Sequence, residues 1–192
     1  KTAYNFMGGI INSAEALTAW FNPTINSYKR INAPVTSSGA TWAPNTITYS
    51  GNNRTHMIRV PGPGRFELRL MDGATNPYLL QAGILAAGID GIEKKRNPGK
   101  PVNVNMYKDG HKVKGAKKLP LTLDKALSHL NKSKVLKDAF SKETINSYIK
   151  LKNIEIKKYH SSNTKRIGFK GSKQSNKKNI ITQWEKDNTL DC

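Results

Sequence analysis

Five of the seven arginines of this 192-residue chain fall within residues 30–69, at Arg30, Arg54, Arg59, Arg65 and Arg69. The same stretch is poor in acid, because Glu67 and Asp72 are the only carboxylates between Glu15 and Asp90. Arginine binds phosphate and carboxylate oxygens through two parallel N–H donors. A cluster of arginines around one glutamate therefore predicts a site for a substrate that carries several negative charges.

Glu67 is the candidate metal ligand of this cluster. In the segment 65–70 the side chains alternate, so Arg65, Glu67 and Arg69 share one face of a predicted strand. Divalent cations in phosphoryl transfer take carboxylate oxygens as ligands, and nearby arginines stabilise charge on the phosphate. A structural ion pair between Glu67 and Arg65, Arg69 or Arg59 would produce the same pattern. The spacing alone leaves both interpretations open.

The lysines have a different distribution. Of the 25 lysines, 23 lie from Lys94 onward, in the part of the chain that reads as polar helices, and they account for most of the formal net charge of +19. A charge of this size is typical of proteins that bind nucleic acid or another polyanion. Few aromatic residues interleave with the lysines, as a platform for stacked bases would require. We therefore interpret them as solvated helix faces and do not expect nucleic acid as a partner.

Several classes of site are disfavoured by the composition. The single cysteine, Cys192, is the last residue, so no internal disulfide and no cysteine-based zinc site are expected. The four histidines lack the paired spacing of metal ligands, and no nucleophile elbow of the Gly-x-Ser-x-Gly type is present. No apolar run of about 20 residues predicts a membrane span. These features fit a cytoplasmic location. Since residue 1 opens directly into a helical pattern, we also expect the chain to be the C-terminal piece of a longer protein.

Hydrophobic periodicity and turn residues predict an order of elements. We expect a helix over residues 1–20, an irregular segment over 24–44, strands over 46–49, 55–60 and 65–70, and a buried helix over 78–95 that starts after Asn76-Pro77. A polar loop over 100–120 and helices around 122–138, 141–160 and 178–187 follow. The segment 161–179, rich in Ser, Asn, Gly and Lys, is predicted to be an insertion or linker.

Four segments resemble motifs of the glutamine synthetases, in the same order and with the same spacing. They are Asn-Pro-Thr-Ile-Asn-Ser-Tyr-Lys-Arg at 22–30, Asn-Arg-Thr-His-Met-Ile-Arg-Val-Pro at 53–61, Arg-Phe-Glu-Leu-Arg at 65–69 with Asp72 and Asn-Pro-Tyr at 76–78, and the helix end at 86–92 with Asn-Pro-Gly at 97–99. The segments 31–36, 38–42 and 183–185 are most similar to the branch often labelled type III. The resemblance is strong over residues 1–107 and looser beyond.

The resemblance implies a fold and a set of roles. The fold would be α+β, the C-terminal half of a glutamine synthetase-type catalytic domain, in which antiparallel strands form part of an open barrel with flanking and C-terminal helices. The implied roles are glutamate binding by Arg30 and Arg69, catalysis at the transferring phosphoryl group by Arg54 and Arg59, nucleotide binding by Arg59 and Arg65, and metal binding by Glu67. The implied cofactors are ATP and Mg²⁺ or Mn²⁺.

The sequence departs from the better-known bacterial members at two places. Trp42 stands where those enzymes carry a flap glutamate that is thought to take a proton from ammonium. The loop between Arg59 and Arg65 is shorter, and a nucleotide-contacting lysine found there in those enzymes has no counterpart. A β-grasp domain and further metal ligands would precede Lys1, and a neighbouring subunit in a ring-shaped homo-oligomer would complete the site.

We therefore expect a fragment of an ATP-dependent ligase that joins glutamate and ammonia through γ-glutamyl phosphate. One alternative is a γ-glutamyl ligase that uses a small alkylamine such as methylamine, and another is a non-catalytic basic module that binds nucleic acid or another polyanion. The expected domain organisation is catalytic-domain part over 1–160, insertion or linker over 161–179, and C-terminal helix and tail over 180–192.

Overall fold

The computed structural model describes residues 1–33, 43–162 and 182–189. The elements in chain order are α1 (Thr2–Phe21), α2 (Ser27–Ile31), β1 (Tyr49–Ser50), β2 (Ile58–Gly62), β3 (Arg65–Leu68), α3 (Pro77–Glu93), α4 (Met106–Asp109), a 3₁₀ turn (Gly110–Lys112), α5 (Leu123–Lys132), α6 (Lys134–Phe140), α7 (Lys142–Ser161) and α8 (Gln183–Thr189). The α+β class is as predicted. Trp42, Cys192 and most of the predicted linker lie outside the described residues.

The strands form one open sheet in the order β1-β2-β3. The pair β2 and β3 is antiparallel, as predicted, and its register places Arg59 opposite Glu67. The turn between them uses Gly64, whose φ of +79° lies in the left-handed region that favours glycine. The two-residue strand β1 instead pairs parallel to β2, with Tyr49 opposite Ile58.

Helices α1 and α3 make the most extensive contact between elements. The contact is close because glycines meet across it: a Cβ built on Gly9 would lie 1.9 Å from the Ala87 carbonyl oxygen, and one built on Gly91 would lie 2.3 Å from the Asn5 carbonyl oxygen. Helix α3 begins as predicted, with Pro77 at its first position and the Asn76 side chain accepting the backbone N–H groups of Tyr78 and Leu79.

The expectation that α3 is buried is wrong for most of its large side chains. Tyr78, Leu85 and Ile89 are 81%, 55% and 49% exposed. The buried positions of α3 are the small residues and one acid, Gly83, Ala87, Gly88, Asp90 and Gly91. A helix that is apolar all round usually lies in a core. Here the face of small residues approaches α1, Leu79, Leu80 and Ile84 are partly buried against the core, and the exposed bulky residues lie on the remaining surface of the helix.

The C-terminal helices complete the core. The face of α5 that packs on α1 buries Leu123, Ala126, Leu127 and Leu130. The helix predicted over 122–138 is divided at Ser133, whose extended backbone ends α5 and whose Oγ accepts the Leu136 N–H at the start of α6. Among the described residues, no helix is both long and apolar enough to cross a membrane.

Candidate functional site

Glu67 bridges two arginines on the face formed by β2 and β3. Its Oε2 lies 2.7 Å from Arg59 Nη1, and its Oε1 lies 3.1 Å from Arg69 Nε. The antiparallel register places the Arg59 pair directly across the strands, and the two-residue alternation places Arg69 on the same face. The Glu67 side chain is 43% exposed, so the bridge is open to solvent.

Arg59 is fixed by a second partner. The Asn52 Oδ1 accepts hydrogen bonds from Arg59 Nε at 2.8 Å and from Nη2 at 2.6 Å. The guanidinium is therefore held between a side-chain amide and the Glu67 carboxylate. This arrangement fixes the plane of a phosphate- or carboxylate-binding group before any ligand arrives, which lowers the entropic cost of binding.

Arg30 comes from a different element, the five-residue helix α2. Its Nη2 donates to Asn22 Oδ1 at 3.0 Å and to the Leu70 carbonyl oxygen at 2.8 Å. Burial lowers the pKa of Arg30 from its ordinary value, the negative charge of Asp72 opposes that shift, and the positive charge of Arg69 adds to it. The positive charges of Arg30 and Arg69 therefore disfavour each other at this site.

Two buried donors of these arginines have no hydrogen-bond partner among the described residues: Arg30 Nε and Arg69 Nη1. Buried polar atoms are nearly always paired, so each exception calls for an explanation. An anionic oxygen would pair with such an N–H and would also offset the repulsion between the two guanidinium groups. The structure thus presents cationic donors that lack their acceptors.

Arg54 and Arg65 are exposed, and neither forms an ion pair with a described residue. Arg54 lies on a loop that is nevertheless well anchored. The Asn53 Nδ2 donates to the Val104 carbonyl oxygen at 2.9 Å, and the Met106 N–H donates to Thr55 Oγ1 at 2.9 Å. The backbone that carries Arg54 is therefore fixed, while its side chain is free to meet a ligand.

The buried residue His56 completes this anchor. Its Nε2 lies 3.0 Å from the Val104 carbonyl oxygen and its Nδ1 lies 2.9 Å from Thr48 Oγ1. The carbonyl can only accept, which requires the proton on Nε2 and leaves Nδ1 to accept from the Thr48 hydroxyl. Burial lowers the pKa of His56, and the hydrogen bond to Val104 opposes the shift.

A divalent cation would find one carboxylate here. In the parts of the chain that the structure describes, no group of three or more His, Cys, Asp or Glu side chains could hold a metal ion. Glu67 still fits the role of a single ligand, because each carboxylate oxygen can accept more than the one bond it makes to an arginine. The described residues thus offer this one carboxylate without a cluster of further His, Cys, Asp or Glu ligands.

Asn22 and Asn52 orient Arg30 and Arg59, although neither was predicted to have a role. Asn22 lies in the motif at 22–30, but an asparagine before proline is also typical of the end of a helix. The ion pair between Lys29 and the buried Glu185 was not predicted either. The spacing Thr182-x-x-Glu185 is a capping-box pattern that could have indicated the start of α8, although not the partner of the glutamate.

Comparisons with known proteins agree with this arrangement. The family model described as glutamine synthetase, catalytic domain, matches residues 1–168. A glutamine synthetase of Rhizobium meliloti (strain 1021) is 54% identical over 187 residues, which cover 97% of this chain and 39% of the relative. A glutamate–methylamine ligase of Methyloversatilis universalis is 43% identical over 162 residues, 83% of this chain and 36% of the relative.

A solved structure of a GmaS/ADP complex matches the whole chain with a TM-score of 0.79 and 50% sequence identity, and the match covers 40% of that structure's chain. The chain therefore spans about two fifths of the length of the relatives that it matches. The family match covers most of the chain, and the motif segments at 22–30, 53–61 and 65–69 fall within it. On these grounds the chain belongs to the glutamine synthetase catalytic-domain family.

Proposed function

We propose that the complete gene product is an ATP-dependent ligase that joins glutamate and ammonia into glutamine through γ-glutamyl phosphate. The observation that carries this proposal is the pair of buried, unpartnered donors on Arg30 and Arg69 beside the Glu67 bridge. Such donors suit a small substrate with carboxylate groups. The similarity to glutamine synthetases over nearly the whole chain supports the same reaction.

Each arginine takes a role that fits its surroundings. Arg30 and Arg69, half-buried with free donors, would hold the carboxylates of glutamate. Arg59, fixed by Asn52, would act with the exposed Arg54 at the transferring phosphoryl group. Arg59 and the exposed Arg65 would contact the phosphates of ATP.

Glu67 would supply one oxygen ligand to Mg²⁺ or Mn²⁺, whose chemistry when bound is to neutralise charge on the phosphates. These are the sequence-predicted roles, and they remain proposals.

The chemistry proceeds in two displacements. A γ-carboxylate oxygen of glutamate attacks the γ-phosphorus of ATP, and the bond to the bridging oxygen breaks to release ADP. The amine nitrogen then attacks the γ-carbonyl carbon, phosphate leaves, and the nitrogen loses a proton. The arginines contribute by orientation and by stabilising charge that develops on phosphoryl oxygens, rather than by covalent chemistry.

A small alkylamine such as methylamine is the second candidate for the nitrogen donor. The observation that favours it is the 43% identity to a glutamate–methylamine ligase together with the match to a GmaS/ADP complex. Trp42 stands where the better-known enzymes carry an acid. Its large apolar ring cannot accept a proton from ammonium, but it could line a pocket for a methyl group. Trp42 lies outside the described residues.

The proposed experiment measures phosphate release by the complete gene product with ATP and Mg²⁺. Release should require both glutamate and an amine, and kcat/KM is compared for ammonia and methylamine in the wild type and in Trp42→Glu. A preference for ammonia of about a hundredfold or more, about 2.7 kcal/mol, would rule out the alkylamine donor. Release that is independent of glutamate would contradict the ligase assignment itself.

The remaining expectations belong to the same proposal. We infer that the enzyme works in the cytoplasm as a homo-oligomeric ring, in which a neighbouring subunit supplies the rest of the site. The division into a catalytic-domain part over 1–160, an insertion over 161–179 and a C-terminal segment over 180–192 also remains proposed. Size measurement in solution and limited proteolysis would test these points.

A further inference from the structure

The C-terminal helix α8 starts with a reciprocal capping box. The Glu185 N–H donates to Thr182 Oγ1 at 3.2 Å, and the Thr182 N–H donates to Glu185 Oε2 at 2.6 Å. The Thr182 hydroxyl also donates to the same oxygen at 2.8 Å. In an ordinary capping box the glutamate serves only the end of its own helix.

Glu185 does more than cap its helix. The residue is completely buried, and its Oε2 forms an ion pair with Lys29 Nζ, on a side chain that is only 13% exposed. Burying a carboxylate costs several kcal/mol unless a partner compensates it, and removal of one partner leaves an uncompensated charge. The pair therefore holds α8 against the helix that carries Lys29.

That helix is α2, and Lys29 directly precedes Arg30. Helix α2 has five residues, and at its start the Ser27 N–H donates to Thr24 Oγ1 at 3.1 Å. An isolated helix of this length is not stable in water, so tertiary contacts must define its position. Those contacts include the bonds of Arg30 to Asn22 and Leu70 and the ion pair of Lys29. Because Lys29 and Arg30 are neighbours in this short helix, a displacement of α2 on loss of the ion pair would also move Arg30.

A second contact anchors α8 on its other side. The rings of Trp184 and Tyr159 meet edge to face, with centroids 5.3 Å apart and an interplanar angle of 74°. Tyr159 lies near the end of α7. Helix α8 therefore bridges the end of the long helix α7 and the short helix α2.

We propose that Glu185 is a positioning residue, which orients Arg30 for glutamate through Lys29. The C-terminal helix would then set the affinity for the amino-acid substrate without contacting it. This inference rests on the proposed function, in which Arg30 binds a carboxylate of glutamate. It adds a residue from the far end of the chain to the determinants of that site.

The test compares two conservative variants of α8 in the complete gene product. Glu185→Gln keeps the size of the side chain and its capacity to accept from Thr182, but it removes the charge that pairs with Lys29. Asp187→Asn is the matched control, because Asp187 is an exposed acid of the same helix that accepts from Gln183. We expect Glu185→Gln to raise the KM for glutamate about tenfold, with the KM for ATP changed less than twofold and kcat less than threefold. Asp187→Asn should leave all three unchanged.

Hydrogen exchange provides a readout that does not depend on the reaction. Glu185→Gln should accelerate exchange of the backbone amides of residues 27–32, whereas Asp187→Asn should not. The double variant with Lys29→Met should be no worse than either single variant, since both remove the same interaction. Without turnover in the wild type the proposed function fails, while exchange still tests the coupling of α8 to α2. Normal turnover with an unchanged glutamate KM in Glu185→Gln, or a KM that rises equally for ATP, would overturn the positioning role.

Discussion

The arginine-rich segment 30–69 and the lysine-rich helices α5–α7 are both strongly basic, but their charges differ in burial and in hydrogen-bond partners. Arg30, Arg59 and Arg69 are half-buried, and each is oriented by named acceptors. The lysines at 125, 132, 134, 142 and 150 on α5–α7 are exposed. A buried charge costs desolvation energy that only a partner or a ligand can offset, whereas an exposed one costs little. Burial of the charge, rather than its amount, therefore distinguishes these three arginines from the exposed lysines.

Lys29 shows that residue type alone does not decide whether a cationic side chain is buried. It is a lysine within the arginine-rich half of the chain, and it is buried against Glu185. Lys152 on α7 is also largely buried, and it pairs with Glu155 at 2.8 Å. Both lysines resemble Arg59 and Arg69, because in each case a carboxylate pairs with the cation that has left solvent.

The largest expected effect comes from removing the carboxylate that joins the buried arginines. We expect Glu67→Gln to lower kcat/KM by about a thousandfold, about 4 kcal/mol in the barrier, because the side chain would lose the negative charge that we propose to bind the metal. The side chain is 43% exposed and does not belong to the core, so the thermal unfolding temperature should change little. Steady-state kinetics and thermal unfolding of the complete gene product measure both quantities.

A loss no greater than about tenfold, about 1.4 kcal/mol, would contradict a metal-ligand role for Glu67. The matched control is Glu155→Gln, which breaks the ion pair with Lys152 in the lysine-rich half. It should leave kcat/KM within about twofold of the wild type, since it removes a structural pair far along the chain.

The next prediction compares replacement of a half-buried arginine by lysine with replacement of an exposed lysine by arginine. Arg30→Lys should raise the KM for glutamate about 10- to 100-fold, because a hydrogen bond to a charged group contributes about 1.5–3 kcal/mol and lysine cannot keep the bonds to Asn22 and Leu70 while reaching the substrate. Lys150→Arg, on an exposed position of α7, should change nothing. Equal effects from the two exchanges, measured by glutamate titration, would remove the distinction between the regions.

The elements that could be predicted from the sequence are those with local signals. Helix α1, the start of α3 at Asn76-Pro77 and the pairing face of β2 with β3 follow from periodicity, capping and alternation. Helix α2 was missed because five residues are too few to show a period. The exposure of Tyr78 and Leu85 was missed because an apolar helix does not reveal which of its faces meets a neighbour.

The charged residues of the candidate site could be predicted from the sequence, whereas the residues that position them could not. The arginine window and the alternation around Glu67 are visible in the sequence, and the structure brings Arg59, Arg69 and Glu67 into contact. The partner of Glu185, by contrast, lies 156 positions away in the chain. No local pattern encodes such a distance, so only the folded arrangement could show it.

A smaller effect should appear in the pH dependence of stability through His56, which anchors the loop of Arg54. The groups that face its ring, Thr48 Oγ1 and the Val104 carbonyl, are neutral, and burial lowers its pKa. The unfolded chain therefore binds the proton more tightly than the folded protein does. The stability contributed by neutral His56 is complete above the ordinary pKa of about 6.5, and it declines as the pH falls from there toward the lowered folded value.

Urea unfolding at several pH values between about 7 and 5 measures this effect. The His56→Gln variant should lose that component of the pH dependence, although it will be less stable at neutral pH. An unchanged slope in His56→Gln would show that another group is responsible.

The smallest effect is expected from the lysines of α5–α7, and it is the sharpest test of the polyanion-binding alternative. We expect simultaneous replacement of the lysines at 125, 132, 134, 142 and 150 by glutamine to leave kcat/KM within about twofold, because these side chains are exposed and lie outside the arginine cluster.

Binding of the wild type to a DNA duplex should be weak, with a dissociation constant of about 10⁻⁵ M or higher at physiological salt, and the affinity should fall steeply as salt increases. Such contacts act through release of counterions, so the fivefold variant should show a shallower dependence on salt for every sequence tested. Micromolar or tighter binding to one defined sequence would instead require base-specific contacts, and it would give the lysine-rich half a function of its own.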